Sequence, residues 1–273
     1  MKISGAIVLY KNEISVLSQA ISSFLKSELA SKLYLIDNSP NNSLEILKDL
    51  DERIEYIFNP SNPGFGAAHN IAIKKTVEDN FDYHLVLNPD VYFDENVIES
   101  IVEYVRDKPD IGNIMPKVLY PNGEIQYLCK LLPTPYDWMG RRFNPFKNIV
   151  ERRNNIFELR FTGYDKIMEV PYLSGCFMFL NLQAIKKVGL FDEGIFMYGE
   201  ETDLCRRIIG GGYKTIFYPK VNIFHHFAKG SHTSLKLTKI GIQSAIYYFN
   251  KWGWFYDKER KKINSEALNK LAK

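Results

Sequence analysis

Apolar and polar positions alternate in blocks along the first hundred residues, and the period changes from block to block. Residues 3–10, centred on Ile7-Val8-Leu9, form a short unbroken apolar run, the pattern of a strand covered on both faces. Val16, Leu17, Ala20, Ile21, Phe24 and Leu25 then recur at helical spacing and give one apolar stripe. Leu33-Tyr34-Leu35-Ile36 predicts a second strand, Leu44, Leu47 and Leu50 a short helix, and residues 54–58 a third strand. Residues 59–66, rich in Asn, Pro and Gly, predict a loop, and a helix over 67–77 follows it. Residues 83–87 predict a fourth strand, broken by Asn88-Pro89-Asp90, and a helix from about 95 to 106 comes next. Strands alternating with helices of this length predict an α/β fold with a parallel sheet and right-handed crossovers. Ligands of such sheets bind beyond the carboxyl ends of the strands. Three strands end in polar punctuation, at Asp37-Asn38, at Asn59 and at Asn88-Pro89-Asp90, so these ends are expected to converge on one crevice.

Beyond residue 121 the pattern fades as far as 170, through Pro133, Pro135, Pro145 and clusters of basic residues. This stretch predicts an excursion or small subdomain over the crevice. Order returns over 170–182, where residues 173–180 read as a buried strand, then a loop at Gly189-Leu190-Phe191-Asp192-Glu193 and a helix over 200–209 with an acidic start. Strands over 213–217 and 221–225 and a last helix over 236–248 follow, with no internal repeat.

Composition narrows the class. The chain has 273 residues, 45% hydrophobic and 14% aromatic, enough for one large domain or a domain with an appended region. Its net charge of +3 is too balanced for a protein whose main partner is nucleic acid. Seventeen Gly and 12 Pro exclude collagen and low-complexity disorder. The lack of a long apolar run or signal-like N-terminus, and three widely spaced cysteines without a CxxC pair, predict a soluble protein of a reducing, cytoplasmic compartment. The charge is uneven: residues 251–273 and 141–153 each carry a net +4, the former beside Trp252, Trp254, Phe255 and Tyr256. Basic groups beside aromatics suit an anionic membrane surface; the plainer alternative is packed aromatics beneath a solvated basic face.

Several positions carry candidate chemistry. Asp90, at a strand end, could hold a divalent cation against a diphosphate, because Mg²⁺ uses few protein ligands plus phosphate oxygens. A turn cap is the alternative. Asp37 could accept from a base N–H or close an Asx turn with Asn38, while Gly64 and Gly66, with Asn70 behind them, allow close backbone approach to a ligand or make a simple glycine turn. Glu200, Glu201 and Asp203 crowd three acids into four positions, which raises the pKa of at least one and suits a general base. Acidic capping with an Asp203–Arg207 pair explains the same residues. His225 and His226 end a strand and point to opposite faces, so at most one is expected to complete a metal site. There is no GxGxxG after the first strand and no GxxxxGK[ST], which argues against a dinucleotide fold and a P-loop.

Taken in order, eight segments resemble the family 2 glycosyltransferases of GT-A fold, and within them the rhamnosyltransferase-like branch that builds bacterial surface polysaccharides. They are Val8-Leu9-Tyr10-Lys11-Asn12, Ile36-Asp37-Asn38-Ser39, Asn62-Pro63-Gly64-Phe65-Gly66 with Asn70, Leu87-Asn88-Pro89-Asp90, Ser174-Gly175-Cys176-Phe177-Met178, Phe191-Asp192-Glu193, residues 196–204, and residues 226–231. The resemblance implies a Rossmann-like, mostly parallel sheet over 1–234, with a nucleotide-sugar half at 1–115 and an acceptor and catalytic half at 116–234. A helical, aromatic extension over 235–273 would follow. It implies donor contacts at Tyr10, Asn12, Asp37, Gly64, Gly66, Asn70, Asn88 and Asp90, and acceptor contacts at Ser174, Gly175, Cys176 and Glu200. It puts the base at Glu201 with Asp203 or Glu200 as further candidates, and a divalent cation, Mg²⁺ or Mn²⁺, at Asp90 with His226. Asn88 stands where the family's first metal-motif acid is common, and Glu201 where Asp is commoner.

The implied reaction is a single in-line displacement that inverts the anomeric carbon. The favoured donor is dTDP-L-rhamnose and the acceptor a saccharide, in many pathways linked to polyprenyl diphosphate at the inner face of the cytoplasmic membrane. Peripheral contact with that membrane is therefore expected, and oligomeric assembly is left open. Transfer of galactofuranose, glucose or N-acetylglucosamine from a UDP donor is the alternative. Nucleotidyl transfer lacks its Gly-rich, Lys-containing fingerprint, and an inactive binding protein sits poorly with Asp90, Glu201 and His226 all present.

Overall fold

The computed structural model describes residues 1–94, 96–141, 144–226 and 235–272. Four strands open the chain as the apolar blocks predict: β1 (Ile3–Leu9), β2 (Ala30–Asp37), β3 (Ile54–Phe58) and β4 (Tyr83–Leu87). They pair in parallel in the order β3-β2-β1-β4, with Ile7 between Leu35 and Leu87. The side chains of β1 and β4 and of the second half of β2 are buried on both faces because α1 (Ile14–Leu25) and α3 (Val97–Val105) cover one side and α2 (Phe65–Glu78) the other, while β3 is a half-buried edge. The expected short helix is a 3-10 turn over Glu45–Leu50.

The sheet continues through a strand that the hydrophobic pattern did not reveal. Strand β6 (Ile111–Leu119) reads Ile-Gly-Asn-Ile-Met-Pro-Lys-Val-Leu, and Gly112, Asn113 and Pro116 mask its apolar face. It pairs in parallel with β11 (Lys214–His225), one long strand where two were expected. The register of β11 slips between Tyr218 and Asn222, opposite Pro116, which has no N–H to give. The strand expected over 173–180 is also broken. Residues Tyr172–Leu173 form β9, which pairs with β7 (Cys129–Lys130) in a separate two-stranded sheet. Phe177–Asn181 forms β10, antiparallel between β4 and β6. Short β5 (Val91–Tyr92) and β8 (Met168–Glu169) pair antiparallel with β11, so the sheet is mixed but mostly parallel in its first half.

The stretch where the pattern fades is compact. It holds β7, a helical turn over Tyr136–Gly140, α4 (Lys147–Phe157) and β8, and its Leu131, Phe157, Leu159 and Tyr164 join the main core. Helices α5 (Leu182–Val188) and α6 (Glu200–Gly210) follow, and α7 (Leu235–Trp252) and α8 (Lys258–Leu271) close the described chain. The basic C-terminal segment is tied down. Asp257 caps α8, Ala267 enters the main core, and Arg206 of α6 makes a buried two-pronged pair with Asp257 at 2.6 and 2.7 Å. Trp252 and Trp254 are half-buried, whereas Phe255 and Tyr256 are 79% and 99% exposed.

Candidate active site

The expected strand ends stand in a row. Asn38 N–H donates to Leu9 O, Asn59 N–H to Asp37 O, and Asn59 and Asn38 join with Asn62 through their amides. Asp37 is fully buried; Tyr56 O–H donates to its Oδ2 at 2.6 Å and Ser39 N–H to its Oδ1 at 2.9 Å. The Asx-type turn of the plainer reading is therefore present. Tyr10 is exposed, and its N–H donates to Asn12 Oδ1, closing the turn after β1.

The glycine loop has a protein partner. Gly64 has φ +106°, and a β-carbon there would run into the Phe196 carbonyl, which accepts from Phe65 N–H at 2.9 Å. A β-carbon on Gly66 would meet Phe191. Asn70 donates to Phe191 O and Glu193 Oε1 and accepts from Phe191 N–H. The close approach at both glycines is thus made by the 191–196 segment, which carries the chain into α6.

That segment sets the acids. Tyr198 and Gly199 lie in the left-handed region, and a β-carbon on Gly199 would strike the Trp138 indole. After this turn the three acids diverge, because successive helix positions point about 100° apart. Glu201 faces a cavity of about 200 Å³ lined also by Lys130, Trp138, Tyr172 and Tyr198. Tyr172 O–H donates to its Oε1 and Gly199 N–H to its Oε2, each at 2.9 Å. Burial, then the Glu201 charge, drives the Tyr172 phenol well above its ordinary pKa, so the proton stays on tyrosine. Glu200 turns inward and is buried beside Gly66, its Oε2 without a partner among the described residues. Burial, with Glu201 repulsion second, pushes its carboxyl well above the carboxylate range. Asp203 is fully buried and accepts from Arg207 Nε at 2.7 Å, Lys251 Nζ at 2.7 Å and Trp252 Nε1 at 2.8 Å. It joins α6 to α7 and does not line the Glu201 cavity.

Asp90 lies close to this group. Asn88 N–H donates to Cys176 O at 2.9 Å, which ties the end of β4 to the Ser174-Gly175-Cys176 turn. A β-carbon on Gly175 would sit 3.6 Å from Glu201 Cβ, with Ser174 hydrogen-bonded to Cys176 N–H. The buried Cys176 thiol is pushed up to about 12, first by burial, with Asp90 and Glu201 both contributing.

The two histidines separate as alternate strand positions must. His225 is buried, its Nδ1 3.0 Å from Gln126 Oε1 and its Nε2 3.4 Å from Asp90 Oδ1. His226 is exposed, its ring beside Tyr92 and its N–H donating to Asp90 O. Among the described residues no three His, Cys, Asp or Glu side chains converge as a metal cluster. One half-exposed carboxylate with one imidazole is the sparse donor set of a cation that takes its remaining ligands from phosphate and water. Residues 227–231 of the last motif lie outside the described residues.

Tyr172, Lys130, Trp138 and Gln126 are site residues the sequence reading missed. Three of them fall in the stretch without clear period, and nothing local marks them; they meet Glu201 and His225 only through the β7–β9 pairing and the packing of the excursion.

An N-acetylglucosaminyl-diphospho-decaprenol L-rhamnosyltransferase of Mycobacterium tuberculosis is 26% identical over 177 residues, 62% of this chain and 57% of that protein. Rhamnosyltransferase WbbL of Escherichia coli is 25% identical over 170 residues, 60% of this chain and 61% of that protein. The matched segment thus spans a little over half the length of these relatives. The crystal structure of GalNAc-T7 with UDP, GalNAc and Mn²⁺ superposes with a TM-score of 0.61 at 18% identity, over 82% of this chain and 43% of that one. That of S. aureus TarS gives 0.60 at 14%, over 98% and 43%. These two likenesses establish the shared GT-A fold. The family model for glycosyl transferase family 2 matches residues 6–189, about two thirds of the chain, and this protein belongs to that family.

Proposed function

We propose that the protein transfers L-rhamnose from dTDP-L-rhamnose, with inversion, to a saccharide carried on polyprenyl diphosphate. The observation that carries this reading is Glu201, a carboxylate held by Tyr172 and Gly199 in a cavity, close to the Ser174-Gly175-Cys176 turn that Asn88 ties to the Asp90 strand end. The acceptor hydroxyl gives its proton to Glu201 as its oxygen forms the bond to the anomeric carbon. The bond from that carbon to the diphosphate oxygen breaks on the opposite face, and the electron pair leaves with the nucleoside diphosphate. Tyr172 and the Gly199 amide orient the carboxylate. Asp203 holds α6 against α7, so the base keeps its place. Asp90 and His225 would hold a divalent cation, which neutralises the leaving diphosphate when bound. The named M. tuberculosis and E. coli relatives favour rhamnose.

A donor panel tests this reading. Nucleotide release is expected from dTDP-L-rhamnose in preference to UDP-sugars, in the presence of Mg²⁺ or Mn²⁺. Asp90→Ala is expected to bind donor nucleotide as weakly as the native protein does in chelator. Equal affinity of the native protein with and without chelator would remove the cation from the mechanism.

A lipid-linked acceptor brings the enzyme to a membrane surface. Among the described residues no helix is long and apolar enough to cross a membrane. The C-terminal contact narrows to exposed Phe255 and Tyr256 with the lysines of α8, because Trp252 and Trp254 donate to Asp203 and Asn250. Each cation near an anionic surface contributes ~1 kcal/mol, so attachment is reversible and salt-sensitive. Phe255→Ala with Tyr256→Ala is expected to lower co-sedimentation with anionic vesicles while leaving thermal stability unchanged. Undiminished sedimentation of the double variant would move the contact elsewhere.

A further inference from the structure

The Glu201 cavity opens into a groove of about 810 Å³, and Lys130, Trp138, Arg141 and Tyr198 line both. Among the described residues the charges lining the groove are matched except at Lys130, and Glu201 in the joined cavity is likewise without an ion-pair partner. Asp137 pairs with Arg153 at 2.5 Å, while Glu158 takes Arg141 at 3.2 Å and Arg160 at 2.6 Å. Among the described residues no carboxylate comes within ion-pair distance of Lys130. Its ammonium lies 5.6 Å from the Tyr172 ring centroid, beside the tyrosine that orients Glu201. Burial, helped by Arg141, pulls this ammonium below the ordinary lysine range, against the attraction of Glu158 and Glu201, neither of which touches it. A half-buried cation without a counter-ion is costly to keep unless an anion completes it. Farther along, the groove passes between α4 and α7, where Val150, Leu237, Ile242 and Met139 give it an apolar wall.

We propose that Lys130 is the acceptor subsite for a phosphate ester on an apolar chain, with the diphosphate at the ammonium and the chain leaving between α4 and α7. This rests on the reading of the acceptor as lipid-diphosphate-linked and adds the residue that recognises it. The backbone of residue 130 is well held for the task. It pairs with Tyr172 across β7–β9, and Leu132 exchanges two hydrogen bonds with Asn264 of α8.

Trp138 lines both cavities, so its fluorescence reports occupancy. Farnesyl diphosphate, farnesol and inorganic diphosphate would be titrated in chelator, so that no cation draws the diphosphate to Asp90. Lys130→Met keeps the aliphatic stem and is expected to weaken farnesyl diphosphate by about tenfold or more, the loss typical of a charged hydrogen bond. Lys130→Arg is expected to restore most of that affinity. Farnesol is expected to bind native and Lys130→Met proteins alike, which also shows that the variant is folded. Inorganic diphosphate is expected to bind more weakly than the lipid and to lose a similar factor in Lys130→Met. Equal affinity of native and Lys130→Met proteins for farnesyl diphosphate would overturn the subsite, and inorganic diphosphate binding as tightly as the lipid would overturn the role of the apolar wall. Turnover of dTDP-L-rhamnose is read separately. A protein that fails there but keeps Lys130-dependent binding refutes the donor reading and leaves the subsite standing.

Discussion

Glu201→Gln is expected to lower turnover by about 10²–10⁴, the usual cost of losing a general base, while donor binding stays near native. The amide keeps the size of the side chain and can still accept from Tyr172 O–H or Gly199 N–H, so the pocket keeps its shape; it cannot take the acceptor's proton. The neighbouring acids give contrasting controls. Glu200→Gln changes a buried carboxyl that does not line the Glu201 cavity and that burial pushes above the carboxylate range, so its effect on rate is expected to be small. Asp203→Asn disturbs the junction with Arg207, Lys251 and Trp252, and is expected to lower thermal stability more than it lowers the chemical step. Steady-state nucleotide release, nucleotide-sugar binding and a melting curve for each variant separate these outcomes. An active Glu201→Gln beside a folded, inactive Asp203→Asn would show that the base has been misassigned.

The largest stability effect is expected at Arg206. Its side chain is 2% exposed, grips Asp257 with two hydrogen bonds, reaches Glu259 at 2.9 Å and lies 4.1 Å over the Trp252 ring. Arg206→Ala leaves the Asp257 carboxylate buried and short of its partner, a loss of ~3–5 kcal/mol. For a chain of this size that corresponds to a fall in melting temperature on the order of 10 °C. Replacing both partners by apolar residues, Arg206→Met with Asp257→Leu, is expected to recover only part of it, since the pair then strands no charge of its own but α8 loses its cap and Arg260 its Asp257 partner. The pair also has a pH signature. Burial works to raise the Asp257 carboxyl, but the Arg206 hydrogen bonds override it and hold it below the usual range. A depressed carboxyl contributes stability above its unfolded pKa, and that contribution is lost as pH falls through the folded value. Acidification should therefore erode the difference between native protein and Arg206→Ala. A melting difference of under about 2 °C at neutral pH would remove this pair from the chain's stability.

Much of the architecture is local in origin, and for that reason it is written in the sequence. Strands β1 to β4 are built on short apolar runs, such as Ile7-Val8-Leu9 and Leu33-Tyr34-Leu35-Ile36, and α1 carries a stripe at helical period, so burial dictates much of element type and the covered faces. Polar residues at the strand ends fall in a row because parallel strands must all finish on one edge. The helix that carries Glu201 was likewise legible, from its acidic start at residue 200.

What the tertiary structure decided is which of several similar residues does what. Glu200, Glu201 and Asp203 look alike in the sequence, yet rotation about α6 sends one into the core, one into a cavity and one into a cluster of donors. His225 and His226 differ only in strand parity, and the pairing of β11 with β5 turns His225 toward Asp90. Gly64 and Gly66 read as room for a ligand, but the Phe191–Phe196 segment takes that room. Strand β6 was hidden because Gly112, Asn113 and Pro116 break its pattern; its pairing with β10 and β11 makes it a strand all the same. Lys130 and Tyr172 lie 42 positions apart and meet through one antiparallel pair. Contacts at such separation leave no local period, because it is the closure of the chain, and not the neighbouring residues, that brings them together.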